Sequence, residues 1–497
     1  MPDKNSAWRC AVCGYIHRGS GPPDVCPVCG ASRDDFEPYR ETAPPAAEAV
    51  DQWRCLVCKY AHHGEASPDV CPVCGALADS FEPASGPSEK TAEAGEGTKA
   101  VIVGAGIAGI AAVESLREAS PAAEITLVSR EPGLPYYRLN LTRYLAGEIG
   151  AEDLPIHTSD WYRERNVRLL LGVDVSALRL KEQAVELGDG ESLPFQKLLL
   201  AAGTHPFVPP FPGANLKGVT TLRTVEDADR ILEAIRAGTK CVLIGGGILG
   251  LETAAALARR GADVALLEGH GWLLPRQLSQ RAGDILTEHA AGLGITLYKK
   301  ARTREILGDG RVRGVLLEDG TVVAGDLVVI ATGVRPNSRL ARLAGIEVGQ
   351  GVVVNDRLET SHPHVFAAGD VAEHRGIVYG TWGPSQYQGS IAALNMAGAE
   401  AEFGGIPRSN TLKVLGLDLF SIGQTALEDG SFEAVEEESD GRYFRFVFRD
   451  SYLIGAILLG DTHLTARVKS ALENKRDLSA VLQKRPNARD LMEFLKT

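Results

Sequence analysis

From Lys99 onward the chain alternates short, wholly apolar runs with amphipathic stretches. In KAVIVGAGIAGIAAVESLREASPAAEITLVSRE an apolar, β-branched strand passes through a glycine-rich turn into a helix of apolar periodicity, then a second strand at Ile125 to Val128. The same order returns 141 residues later in KCVLIGGGILGLETAAALARRGADVALLEGHGWLL. Two βαβ units in one chain predict an α/β protein with two parallel sheets. Further on, aromatic-rich Arg442 to Phe448 and apolar Leu453 to Asp461 predict strands, and Asp477 to Thr497 reads as charged helix. Ala84 to Thr98 has no periodicity and is small, polar and charged, which predicts a flexible tether of roughly 20 Å mean span. Apolar runs such as Leu198 to Ala202 fall far short of the roughly 18 residues that a membrane span needs.

Composition narrows the picture. The 497 residues predict several folding units, and 55 Gly with 26 Pro is ordinary globular usage. A formal charge of −12 is opposite to the footprint of a nucleic-acid binder, so no nucleic-acid partner is expected. MPDKNSAWRC lacks the apolar core of a signal peptide, and the expected location is the cytoplasm. Eight of the nine cysteines fall within the first 74 residues, which in a reducing compartment means metal before disulfide.

Those eight form a repeat. Cys10, Cys13, Cys26 and Cys29 recur at an offset of 45 as Cys55, Cys58, Cys71 and Cys74, with Trp8/Trp53 and Phe36/Phe81. Each Cys-x-x-Cys turns two sulfurs toward one cation, and two such turns close a tetrahedral tetrathiolate, which suits zinc or iron. His62 and His63 are left as loop residues because four thiolates already fill the tetrahedron.

The glycines carry the second chemistry. In Gly104, Ala105, Gly106 and Gly109, the first glycine permits the tight turn, the second lets the backbone approach a pyrophosphate, and the third lets the helix pack closely. Gly245, Gly247 and Gly250 repeat this, so two dinucleotides are expected. Glu268 closes the strand after the second loop; a carboxylate there accepts a ribose 2′-hydroxyl and repels a 2′-phosphate, so NADH is expected over NADPH. After the first unit the acid comes late, in Ser129-Arg130-Glu131. Cys241 opens an apolar strand and is given no role.

These residues resemble known families. The motifs Cys13-Gly14-Tyr15, Pro22-Pro23 and Cys26-Pro27-Val28-Cys29-Gly30 resemble the rubredoxin-like module of rubrerythrins, which implies one redox iron per module, with structural zinc as the alternative. The second module departs at Lys59, where the family has glycine. Residues 99 to 400 resemble the FAD- and NAD-dependent pyridine nucleotide oxidoreductases, through both glycine loops, Ala201-Ala202-Gly203-Thr204, the Gly333 segment ATGVRPN and the Asp370 segment VFAAGD.

The resemblance implies that the first loop takes FAD with Arg130, Glu131, Ala202, Gly203, Gly369 and Asp370, that Arg138 lies near it, and that Glu252 sits near the nicotinamide. Arg143 stands where many relatives place a lysine near the flavin. Trp382 is expected either beside the flavin ring or as a core aromatic. No cysteine occurs where the disulfide reductases, NADH oxidases or peroxidases carry theirs, which leaves the rubredoxin and ferredoxin reductase branch.

The implied organisation is two rubredoxin-like modules at 1–43 and 50–83, a linker at 84–98 and two nested Rossmann-like domains. FAD binding falls to 99–216 with 331–404 and NAD binding to 217–330; an α+β C-terminal interface domain follows at 405–497. The implied activity is hydride transfer from NADH to FAD, then single electrons to two tetrathiolate irons and an external acceptor such as a diiron or flavodiiron oxygen or peroxide reductase. In the alternative, zinc ribbons bind a partner while the flavin serves another acceptor. A homodimer is expected.

Overall fold

The computed structural model describes residues 7–10, 16–18, 33, 36–39, 52–55, 61–63, 66–67, 78, 81–83, 98–405, 409–412, 416–426, 430–439 and 441–496. Strand Ala7–Cys10 lies between Ile16–Arg18 and Phe36–Tyr39 in an antiparallel sheet. In a second sheet Gln52–Cys55 lies between Ala61–His63 and Phe81–Pro83. The cysteine register is the same in both, with Cys10 opposite Phe36 and Cys55 opposite Phe81. The repeat seen in the sequence therefore has one strand order. Cys13, Cys26, Cys29, Cys58, Cys71, Cys74 and Lys59 lie outside the described residues, as do the side chains of Cys10 and Cys55 and most of the 84–98 linker.

The two glycine loops open two all-parallel sheets. In the first, the order is Val365–Ala367, Lys197–Leu200, Lys99–Val103, Glu124–Val128, Val167–Leu170. In the second it is Val219–Thr220, Leu327–Ile330, Lys240–Ile244, Asp263–Glu268, Ile295–Lys299. Each half also carries a three-stranded antiparallel sheet, Val175–Pro194 in one and Thr303–Ala324 in the other. Strands that read as continuous apolar runs are buried from both sides: Ile102, Leu127, Leu198 and Leu199 are fully buried in the first half and Val242, Leu243, Leu266 and Val329 in the second.

The chain leaves the first half and returns to it side by side. Thr204–Pro206 pairs with Val334–Pro336, Asn337 donates its side-chain amide to the Ala202 carbonyl at 2.7 Å, and Thr332 Oγ1 donates to the Phe207 carbonyl at 2.7 Å. The second half is thus an insertion whose two ends are hydrogen-bonded together.

A five-stranded antiparallel sheet of Ser409–Leu412, Leu419–Gly423, Tyr452–Leu459, Arg442–Arg449 and Glu433–Ser439 follows, with helices Thr465–Glu473, Ser479–Leu482 and Ala488–Lys496. Phe420, Phe446, Phe448, Leu458 and Val468 form its core. It meets the inserted half through Tyr443 and Ser279, whose hydroxyls are 3.0 Å apart, and through the Arg281–Glu438 ion pair. Among the described residues, no helix is long and apolar enough to cross a membrane.

Helix Ile107–Ala119 packs on Trp382–Met396, and a Cβ at Gly389 would lie 2.1 Å from the Ala108 carbonyl oxygen. Gly389→Ala is expected to destabilise by about 1–3 kcal/mol despite the better helix propensity of alanine. Gly292→Ala, at a helix end where a Cβ meets nothing within 4 Å, should leave the thermal midpoint unchanged or raised. Equal midpoints for the two variants would contradict the packing argument.

Candidate functional site

Both glycine loops have the same geometry. Gly104 has φ +112° and Gly245 φ +113°, a region other residues rarely adopt. A Cβ at Gly104 would lie 2.2 Å from the Ala201 carbonyl oxygen, and one at Gly245 2.5 Å from that of Ala331. Gly109 and Gly250 each sit against the carbonyl of the loop's first glycine, with 2.0 Å to a would-be Cβ in both cases. Gly106 and Gly247, the N-caps of the two helices, have no side-chain cap, and a Cβ there would meet nothing within 4 Å. Each helix therefore points uncapped backbone N–H groups into open space, the arrangement that holds a phosphate. The donor set fits one dinucleotide at each loop.

Around the first loop a polar network converges. Asp370, behind Gly369 at φ +80°, accepts from Ser385 Oγ at 3.0 Å and Thr204 Oγ1 at 3.4 Å, with Arg223 Nη2 at 3.5 Å. Gln388 anchors the turn by accepting from the Gly369 N–H at 2.8 Å. Arg138 donates to Glu131 at 2.5 Å, to Tyr136 Oη at 2.7 Å and to the Arg223 carbonyl. Burial alone would push the Arg138 guanidinium down, but Tyr136 and Glu131 hold it above its usual value. Burial pushes Tyr136 up. Arg223 is lowered by burial and by Arg138, with Asp370 opposing.

The structure brings Glu131, Arg138, Gly203 and Asp370 together. Arg130 instead points outward to Asp174 at 2.6 Å, with its side chain 82% exposed. Ala105 and Ala202 lie in the loop backbones, and Gly333, at φ +116°, accepts from the Phe207 N–H at 2.8 Å. Trp382 begins the helix that carries Ser385 and Gln388; its ring stacks on Tyr137 with centroids 5.5 Å apart, and its buried Nε1–H has no partner among the described residues.

At the second loop Glu268 is buried, accepting from the Gly246 N–H at 3.0 Å and the His270 N–H at 2.7 Å. Glu252 Oε2 accepts from Thr142 Oγ1 at 3.1 Å, across the junction of the two halves. Arg143, the residue after Thr142, turns away to Glu148 at 3.2 Å. Cys241 is 1% exposed in the central strand, and burial, with Asp326 adding, pushes its thiol up to about 12, so it is no thiolate at neutral pH.

Arg223 and Thr142 escape the sequence reading. Arg223 stands just before the Thr224–Asp227 capping box, whose signal marks a helix start and says nothing of the arginine beside it. Thr142 lies in a six-residue helix too short to show a face.

Two nested parallel sheets, each opening on a glycine loop, joined by a zipped crossing and followed by a smaller domain, form the architecture of the FAD/NAD reductases. The pyridine nucleotide-disulphide oxidoreductase family model matches residues 98–401, and the chain belongs to that family. The rubredoxin NAD+ reductase C-terminal domain model matches 409–476, and the rubredoxin-like domain of rubrerythrin matches 8–37 and 53–82.

The chain is similar to the NAD(P)H nitrite reductase of Bacillus subtilis, with 38% identity over 382 residues, 76% of this chain and 48% of that one. It thus spans about half the length of that relative, and of a second from the same organism, an assimilatory nitrate reductase electron transfer subunit. It is 28% identical to the NADH-rubredoxin oxidoreductase of Clostridium acetobutylicum over 77% of this chain and 97% of that one. The crystal structure of NADH:rubredoxin oxidoreductase from that organism superposes with a TM-score of 0.68 at 27% identity, covering 80% of this chain and 100% of that one. Putidaredoxin reductase in covalent complex with putidaredoxin gives 0.73 at 26%, covering 78% and 96%.

Arg138→Met leaves Glu131 and Tyr136 without their cation and is expected to cost roughly 3 kcal/mol. Adding Glu131→Gln should recover most of that in a double-mutant cycle. Strictly additive losses would show that the three groups are not coupled.

Proposed function

We propose that this chain oxidises NADH and delivers the electrons one at a time to its own two tetrathiolate iron centres, from which an external redox protein draws them. The observation that carries this is the union, in one chain, of a two-loop reductase body with two rubredoxin-like modules. Similarity to a NADH-rubredoxin oxidoreductase and to putidaredoxin reductase solved in covalent complex with putidaredoxin supports it. The reading assigns FAD to 99–216 with 331–404, NADH to 217–330 and the interface to 405–497.

FAD, when bound, supplies the exchange of a hydride for single electrons. The protein's residues bind and orient. The helix N-termini behind Gly106 and Gly247 neutralise the two pyrophosphates. Asp370, fixed by Ser385 and Thr204, and the Arg138–Glu131 pair order the first site. Glu268 takes the ribose hydroxyl of NADH, and its negative charge opposes a 2′-phosphate. A covalent tether holds the iron centres at roughly millimolar local concentration. A diiron or flavodiiron oxygen or peroxide reductase is the proposed acceptor. The alternative reading is structural zinc, and the departure from the family at Lys59 concerns the second module alone.

Cys10→Ser and Cys55→Ser are expected to leave NADH bleaching of the flavin at wild-type rate while slowing reduction of an added one-electron acceptor protein, followed by stopped flow. Unchanged acceptor rates in both variants would overturn the iron path. Glu268→Gln should narrow the NADH over NADPH ratio of kcat/KM, and an unchanged ratio would remove Glu268 from nucleotide choice.

A further inference from the structure

The last helices carry a charge opposite in sign to that of the chain as a whole. Residues 465–497 hold eight basic and four acidic side chains in a chain whose formal charge is −12. Within this segment a cleft of about 280 Å³ is lined by Arg467, Ser470, Ala471, Asn474, Arg476 and Leu495. Arg467, Ser470, Ala471 and Asn474, spaced three or four residues apart along the helix Thr465–Glu473 and its end, share one face, and Leu495 comes from Ala488–Lys496. The cleft belongs to the C-terminal domain and to neither glycine loop.

Arg476 is placed by the way the helix ends. Its N–H donates to the Ala471 carbonyl at 2.9 Å, and Lys475 before it has φ +47°, the left-handed step that terminates a helix. Its guanidinium then lies over the Phe494 ring, 4.7 Å from the centroid, so the charge is held in place without a carboxylate.

Neither guanidinium in the cleft is neutralised. Among the described residues, the side chains of Arg467 and Arg476 make no hydrogen bond or ion pair, and no carboxylate lines the cleft. Acids nearby in the chain are engaged elsewhere: Glu473 with Lys469 at 3.7 Å, Asp477 with the Ser479 N–H at 2.8 Å and Asp490 with the Asn487 N–H at 3.0 Å. Asn474 donates to Ser470 Oγ at 3.1 Å, so the hydroxyl keeps its own proton to give. The C-terminal end of the helix contributes about half a negative charge, which two guanidinium groups exceed. The cleft thus offers positive charge and donors beside the apolar Ala471 and Leu495.

We propose that this cleft binds a phosphate dianion, free or carried as the monoester of a small molecule. Guanidinium edges match phosphate oxygens two at a time, and the Ser470 hydroxyl adds a donor. The volume beyond the phosphate itself, with its apolar side, accommodates the carbon group of a monoester.

The test titrates the full-length holoenzyme by calorimetry, at constant ionic strength, with phenyl phosphate, inorganic phosphate and benzoate. Both phosphates are expected to bind at one site, and benzoate, with the same ring and a single charge, at least tenfold more weakly. Arg467→Gln and Arg476→Gln should each weaken the phosphates about tenfold. Lys484→Gln, an equal loss of charge outside the cleft, should weaken them less than twofold. Phenyl phosphate should bind several-fold more weakly at pH 5 than at pH 7.5, because a monoester takes up its second proton near pH 6.

Tighter binding of phenyl phosphate than of inorganic phosphate assigns the cleft to a monoester, and the reverse order to free phosphate. Absence of saturable binding, binding that survives both arginine variants, an equal effect of Lys484→Gln, a flat pH profile, or benzoate bound as tightly as phenyl phosphate would each overturn the proposal.

Discussion

The structure of this chain depends on one close approach, made twice: a helix backbone resting on the carbonyl oxygen of the glycine that follows the preceding strand. At Gly109 on Gly104, and at Gly250 on Gly245, there is no room for a side-chain carbon. That contact draws each helix tight against its sheet and leaves its first N–H groups uncapped beyond the strand edge. Any β-carbon would lift the helix, and the phosphate-binding geometry would be lost with the packing. The architecture and the candidate site thus share a single constraint.

A second constraint joins the halves. The crossing strands Thr204–Pro206 and Val334–Pro336 fix where the inserted half begins and ends. The helix Leu141–Ala146, from the first half, meets the second through Thr142 to Glu252, Tyr144 to Asp229 and the Leu145 carbonyl to Arg260. These contacts join the halves through three separate partners, and Glu252 is one of them.

What was legible in the sequence is what the backbone imposes. Glycines at set intervals between a strand and a helix answer to a steric demand that no larger residue meets, and their repetition at an offset of 141 signalled two equivalent sheets. The cysteine repeat was equally plain, and its strands share one register. Groups defined by tertiary partners were not legible. Arg223 meets Asp370, far along the chain, and Thr142 meets Glu252 over 110 residues; neither leaves a periodic trace. Arg143, at the position where many relatives have a lysine, joins Glu148, while its neighbour Thr142 faces the junction. A one-residue step on a helix turns a side chain by about 100°.

In the proposed function, one polypeptide holds both the reductase and its first electron acceptors. Metal analysis with the visible spectrum of protein made in iron-sufficient medium, followed by anaerobic NADH titration, tests it most directly. Close to two irons per FAD are expected, with a red protein and sulfur-to-iron absorption that bleaches together with the flavin. Two zincs per chain with a flavin-only spectrum would contradict it and make the N-terminal modules structural.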